Sequence, residues 1–346
     1  MTESQSTTSL VRVLVAAVAV ECTIAVAVGS ASCWLLLSEV GRPVDYLAMA
    51  GLPWVVVLAT AALLVTRRVL AQGEELVAVE GPRRRLVAIV HRTERVLADP
   101  GSLQVALQPI VDLATGRWVA VEALSRFPDN GGPEMWFGEA HEAGVGIPLE
   151  RLAFRTAART LAQLPDGVRL SVNASPALIL DPGFHDLLAG CGRDVERLTV
   201  EITEHAAVSR YEDIREALLP YRERGLQLAV DDTGAGYASF AHVLRLRPDV
   251  IKLDRSLLAD IDHDAARRAF VTAIVLMALE LEAAVTAEGV ETAAELDTLR
   301  SLGVDTVQGF LLARPSAQPG TWAAWAGRDR LAHVGAGQSQ TRSLSR

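Results

Sequence analysis

The feature that most constrains the fold is a succession of short apolar runs, each followed by a loop and a helical stretch. The runs are Val105–Ile110, Val119–Arg126, Arg169–Ala174, Leu198–Thr203, Leu226–Asp231, Val250–Leu253, Ala284–Glu288 and Asp305–Gln308. Between them, stretches such as Leu149–Leu164, Tyr211–Arg224, Ala265–Leu281 and Thr292–Leu302 carry apolar residues at helical spacing. Strands of this kind alternating with helices predict a mostly parallel sheet with both faces covered. Eight of them over about 225 residues fit a closed (β/α)8, TIM-like α/β barrel.

Late positions of these runs hold Gln108, Glu122, Asn173, Glu201, Asp231 with Asp232, Lys252, Glu288 and Gln308. A barrel gathers its strand ends around one mouth, where barrel enzymes keep their chemistry. Each residue alone has a plain alternative. Asn173 ahead of Ser175-Pro176 could be a turn residue, Lys252 a surface charge, and Asp232 a cap on the next helix. Polar residues on all eight strands together form a pattern. Carboxylates gathered so closely repel unless a cation neutralises them. Oxygen donors without Cys or His select hard ions: Mg²⁺, Mn²⁺ or Ca²⁺.

The adjacent Asp231 and Asp232 need a special backbone, because neighbouring strand residues point to opposite faces. They are expected to converge at the strand's end, where Gly234 and Gly236 let the chain turn sharply. The plain reading is that Asp232 merely caps the next helix, and the sharper one is that the doublet is the shared anchor of a two-metal site.

A formal charge of −9 argues against DNA or RNA polymers as partners, since proteins that bind them present basic faces. Three cysteines, Cys22, Cys33 and Cys191, make neither a zinc motif nor a disulfide framework. Half of the residues are hydrophobic, and the surplus lies at the N-terminus. Val13 to Leu37 has a single charge, Glu21, and a second run spans Leu47 to Thr66. Each is long enough to cross a hydrocarbon core of roughly 30 Å. Arg67, Arg68 and Arg83 to Arg85 follow the second run, which by the positive-inside rule predicts both termini on the cytoplasmic side of a bacterial inner membrane.

The expected organisation is a tail at 1–9, a two-helix transmembrane hairpin within 10–68, and a helical linker at 69–85 broken at Gly81-Pro82. The barrel follows at 86–327, and 328–346 forms a disordered tail. The linker is too short to hold a further folded domain.

From about Leu86 to Trp325 the chain resembles the EAL-domain family of cyclic di-GMP phosphodiesterases. The motifs are QPIVDLATG (108–116), EALSR (122–126), SVNAS (171–175), VEITE (200–204), VDDTGAGY (230–237), IKLD (251–254), TAEGVET (286–292) and VQGFLLARP (307–315). The resemblance implies hydrolysis of cyclic di-GMP to linear pGpG with two Mg²⁺ or Mn²⁺ ions; the expected hairpin adds a membrane tether, and two spans feeding a helical linker suit a homodimer. It implies a first metal held by Glu122, Asn173, Glu201 and Asp231. Asp231 would bridge to a second metal completed by Asp232 and, through water, Glu288.

By the same resemblance Lys252 acts on the attacking water or the phosphate, and Glu291 and Gln308 position water and ligands. Gln108, Arg126 and Asp254 meet substrate, and Glu204 holds the loop after Asp232. A lysine among carboxylates favours its cation, so charge stabilisation is expected of Lys252 rather than general base catalysis. Thr233, Ala235 and Ser125 depart from the family's usual residues, and none of them is a metal ligand. The alternative is a degenerate domain that binds cyclic di-GMP, or a protein partner, without hydrolysis.

Overall fold

The computed structural model describes residues 45–129, 131–203, 210–233 and 238–325. The chain divides into two units, Met1–Ala88 and Ile89–Arg346. The second contains all eight strands: β1 (Gln104–Asp112), β2 (Trp118–Arg126), β3 (Arg169–Asn173), β4 (Leu198–Thr203), β5 (Gln227–Thr233), β6 (Val250–Leu253), β7 (Ala284–Ala287) and β8 (Thr306–Val307). They close into a barrel in chain order. Each expected run is a strand, with ends displaced by no more than two residues.

The sheet departs from the parallel expectation at one strand. β1 runs antiparallel to both neighbours, whereas every other pairing is parallel. The cause is local. Asp112 Oδ1 accepts the Thr115 N–H at 2.7 Å, and Gly116 follows at φ 66°. This tight turn joins β1 to β2 as a hairpin, and a connection so short can serve only antiparallel strands. Gln108 therefore sits in mid-strand, paired with Glu122, and not at a strand's C-terminal end.

The period of two along each strand sorts the barrel's faces. Val121 and Ala123, Leu170 and Val172, Leu198, Val200 and Ile202, Leu228 and Val230, and Ile251 and Leu253 join one apolar core with the surrounding helices. The alternate positions carry Gln108, Glu122, Ser171, Thr199, Glu201, Asp231, Lys252 and Thr286, which are also buried but polar. Of the expected mouth, Asp232, Glu288 and Gln308 fall outside these positions, and Asn173, which ends β3 in line with Ser171, is exposed.

Helices follow the strands: α2 (Pro133–Glu142), α3 (Gly146–Ala158), α4 (Pro176–Ile179), α5 (Pro182–Gly190), α6 (Tyr211–Arg222), α7 (Ala238–Leu246), α8 (Arg255–Leu258), α9 (Ala265–Glu280), α10 (Ala293–Ser301) and α11 (Pro319–Trp325). α11 returns to the barrel, with Trp325 edge-on to Trp118 at 5.7 Å. A smaller apolar cluster joins Val96 and Leu103 to Trp136, Ala140, Leu149 and Leu152.

At the N-terminus the expectation is corrected. Among the described residues no helix is long and apolar enough to cross a membrane, so the multi-pass inner-membrane placement is not upheld. The run 47–66 belongs to a continuous helix, α1 (Asp45–Ala98), which does not stop at a boundary after Thr66. It continues through Arg67, Arg68, Glu74, Glu75 and Arg83 to Arg85, and passes Gly81-Pro82 without the expected break. The first expected span, 13–37 with Glu21, and the tails at 1–9 and 328–346 lie outside the described residues.

Candidate active site

The Lys252 ammonium stands at the centre of the inward polar face. Its Nζ is 2.6 Å from Glu288 Oε1, 3.0 Å from Glu201 Oε1, 3.3 Å from Asp231 Oδ1 and 3.9 Å from Glu122 Oε1. These are ion-pair distances, without directed hydrogen-bond geometry at Nζ. Burial by itself would push the lysine down. Asp231, Glu122, Glu201 and Glu288 outweigh it and hold the group well above the ordinary lysine value.

The carboxylates respond in the opposite sense. Burial pushes Glu201 up to about 8, Lys252 opposing the shift and Glu122 and Asp231 adding to it. Burial likewise raises Glu288 well above the usual range, with Asp231 adding to the effect and Lys252 opposing it. Glu201 Oε2 is buried without a hydrogen-bond partner, and Oε1 meets only the Lys252 ammonium. A buried carboxylate left in that state is costly, and a cation would relieve it.

The doublet converges by a device that strand alternation alone does not provide. Asp231 and Asp232 both lie within β5, and its register with β6 is irregular between Val230 and Thr233. Asp232 adopts φ 56°, a left-handed conformation that Asp tolerates better than most residues. Two ligand sets result. Glu122, Glu201 and Asp231 each offer an oxygen within 4.8 Å of the others, and so do Asp231, Asp232 and Glu288. Asp231 belongs to both. All-oxygen donors that share one carboxylate fit a pair of hard divalent ions.

Around this cluster runs an amide network. Gln308 Nε2 donates to Glu122 Oε2 at 2.6 Å and to Gln108 Oε1 at 3.0 Å. Gln108 Nε2 donates to the Ala313 carbonyl at 3.1 Å, and Asn173 Nδ2 approaches Glu122 Oε1 at 3.5 Å. The β3–β4 register places Asn173 beside Glu201.

Three other expected residues make contacts of their own. Glu291 forms an ion pair with Arg255, and its N–H is held by Glu295 Oε2 at 2.9 Å. Asp254 caps α8, accepting the Ser256 N–H at 2.8 Å. Arg126 is exposed and donates to the Ser125 carbonyl at 3.0 Å. Glu204 and the loop 234–237 lie outside the described residues. Sequence reasoning missed Arg255, whose position directly after Asp254 in the IKLD stretch was the available signal, and the capping-box Glu295.

The family model for the EAL domain matches residues 94–315. The chain is 35% identical over 230 residues to cyclic di-GMP phosphodiesterase NbdA of Pseudomonas aeruginosa, covering 62% of this chain and 29% of that protein. It is 32% identical over 237 residues to an uncharacterized protein, Rv1357c, of Mycobacterium tuberculosis, covering 64% and 77% respectively. Four curated relatives are matched over only about three tenths of their own length. Among solved structures, a calcium and cyclic di-GMP complex of Klebsiella pneumoniae BlrP1 aligns with a TM-score of 0.57 at 34% identity, covering 63% of this chain and 57% of that one. A manganese complex of BlrP1 aligns at 0.56 with the same identity, covering 62% and 56%. The chain belongs to the EAL domain family.

Proposed function

We propose that this chain hydrolyses cyclic di-GMP to linear pGpG by a two-metal mechanism. The observation that carries the reading is the pair of carboxylate sets joined at Asp231. When bound, two divalent cations supply Lewis-acid stabilisation of phosphate charge and an activated water. Mg²⁺ or Mn²⁺ suits the oxygen-only donors. Glu122, Asn173, Glu201 and Asp231 would hold the first ion, and Asp231, Asp232 and, through water, Glu288 the second.

In this reading Lys252, kept cationic by four carboxylates, stabilises negative charge on the reacting phosphate. Gln308 orients Glu122 and, with Gln108, shapes the mouth. Arg126, at the end of β2, grips a substrate phosphate. Glu291 and Asp254 follow β7 and β6 and act beside the cluster, Glu291 through Arg255. A homodimer belongs to the same reading and is supported by exposed apolar residues, Leu244 on α7 and Leu276 and Leu279 on α9. Light scattering on the full chain measures it.

The test is incubation of the full chain with cyclic di-GMP and Mg²⁺ or Mn²⁺, with products separated by chromatography. Appearance of linear pGpG supports the reading. Tight cyclic di-GMP binding without product would identify a receptor instead.

A further inference from the structure

Glu150 is a buried carboxylate on α3, 8% exposed, and it takes no part in the chemistry above. Its Oε2 accepts the Ser175 N–H at 3.0 Å, and its Oε1 meets His141 Nε2. Ser175 lies two residues beyond Asn173 and opens α4, its Oγ accepting the Leu178 N–H at 3.1 Å. Between them, the Ala174 N–H donates to the Glu201 carbonyl at 2.9 Å. The segment leaving β3 is thus held from two sides, by the backbone of β4 and by the Glu150 carboxylate.

His141, in the last turn of α2, is itself seated. Its ring lies against Gly146, where an added Cβ would fall 2.5 Å from the ring's Cγ. The two residues form a relay, from a ring packed on a glycine to a buried carboxylate and on to the Ser175 backbone N–H, two residues beyond Asn173. A carboxylate that accepts a backbone N–H makes one of the stronger hydrogen bonds available to a protein.

We propose that Glu150, oriented by His141, is a positioning residue that sets Asn173 for cation binding. The inference rests on the reading of Asn173 as a metal ligand. Partners that orient a ligand typically contribute about 10- to 100-fold in metal affinity.

The experiment measures Mn²⁺ binding alone to the full chain, by the electron paramagnetic resonance signal of the free ion. The arms are the unaltered chain, Asp231→Asn, Glu150→Ala, Glu150→Gln and His141→Ala, with thermal melting of each. Glu150→Ala should weaken Mn²⁺ binding about 10- to 100-fold, and raising Mn²⁺ should restore its hydrolysis. Glu150→Gln keeps an acceptor oxygen for the Ser175 N–H and should bind close to the unaltered chain. His141→Ala should weaken binding several-fold with little change in melting.

Mn²⁺ binding equal to the unaltered chain in both Glu150→Ala and His141→Ala would overturn the positioning role while leaving the metal site standing. So would a loss in Glu150→Gln as large as in Glu150→Ala. Unaltered chain and Asp231→Asn binding alike would instead overturn the metal site itself. If Glu150→Ala does not fold, His141→Ala decides, and its equality with the unaltered chain overturns the proposal.

Discussion

Asp232 takes a left-handed backbone, φ 56°, directly after Asp231, and its N–H donates to Asp231 Oδ1 at 2.9 Å. The kink brings two sequence neighbours into one set of oxygens with Glu288. Non-glycine residues in this region carry a strain on the order of 1–3 kcal/mol, so the fold holds the doublet against a local preference.

That strain separates function from stability at one position. Asp232→Gly should stabilise the metal-free chain by about 1 kcal/mol, because glycine adopts positive φ freely. It should also lower hydrolysis at least as far as loss of an outer-shell partner does, about 10- to 100-fold, because it removes a proposed cation ligand. Denaturant melts and turnover assays read the two effects independently, and a variant that loses both together would contradict the separation.

Asp231→Asn should abolish turnover and leave the fold largely intact, since the residue lies on the polar inward face and outside the apolar core. Circular dichroism and product chromatography check this. Near-normal hydrolysis would sink the two-metal reading.

Metal binding should strengthen as pH rises through about 8. The Glu201 carboxyl is raised from 4.5 to about 8 in the fold, so the metal-free folded chain takes up a proton that the unfolded chain does not. The resulting stabilisation is present below the ordinary glutamate value and is lost as pH rises from there through about 8. A cation must displace that proton, and its affinity therefore grows over the same window. The Lys252 shift lies above this window and does not alter its sign. The Mn²⁺-induced gain in melting temperature should be larger near pH 9 than near pH 6, and a pH-independent gain would rule the coupling out.

Mg²⁺ and Mn²⁺ should support hydrolysis, and Ca²⁺ should occupy the same oxygens without turnover, because its larger, looser coordination holds water less strictly. Competition of Ca²⁺ against Mn²⁺ in the chromatographic assay tests this. Full activity in Ca²⁺ alone, or after exhaustive chelation, would contradict it.

Gly309→Ala should destabilise the chain by roughly 1–3 kcal/mol or more and reduce activity through Gln308. A Cβ at 309 would fall 2.1 Å from the Val290 carbonyl oxygen, and that backbone is tied to β8 by the Val290 N–H to Gln308 O bond at 3.0 Å. Unchanged melting would show that the loops after β7 and β8 can part without cost.

The eight strands were legible in the sequence because each is a short apolar run bounded by turn residues, and such local patterns carry their own signal. Gln108, Glu122, Asn173, Glu201, Asp231, Lys252 and Gln308 were legible too, since a closed barrel brings corresponding strand positions together. The reversal of β1 was not anticipated, although the short Asp112–Gly116 turn encodes it. The apolar run at 47–66 was misread because hydropathy scores a window, whereas the helix that contains it runs on through a series of charges.

The sequence by itself determined which residues line the barrel and that their donors are oxygens. Only the tertiary structure decided that Lys252 lies among four carboxylates, that Glu291 pairs with Arg255, and that Glu150 reaches the chain beside Asn173. Those relations join residues from 25 to 130 positions apart, as Glu150 to Ser175 and Lys252 to Glu122 show. Local propensity says nothing about such pairs, and their geometry follows from barrel closure and the packing of side chains within it.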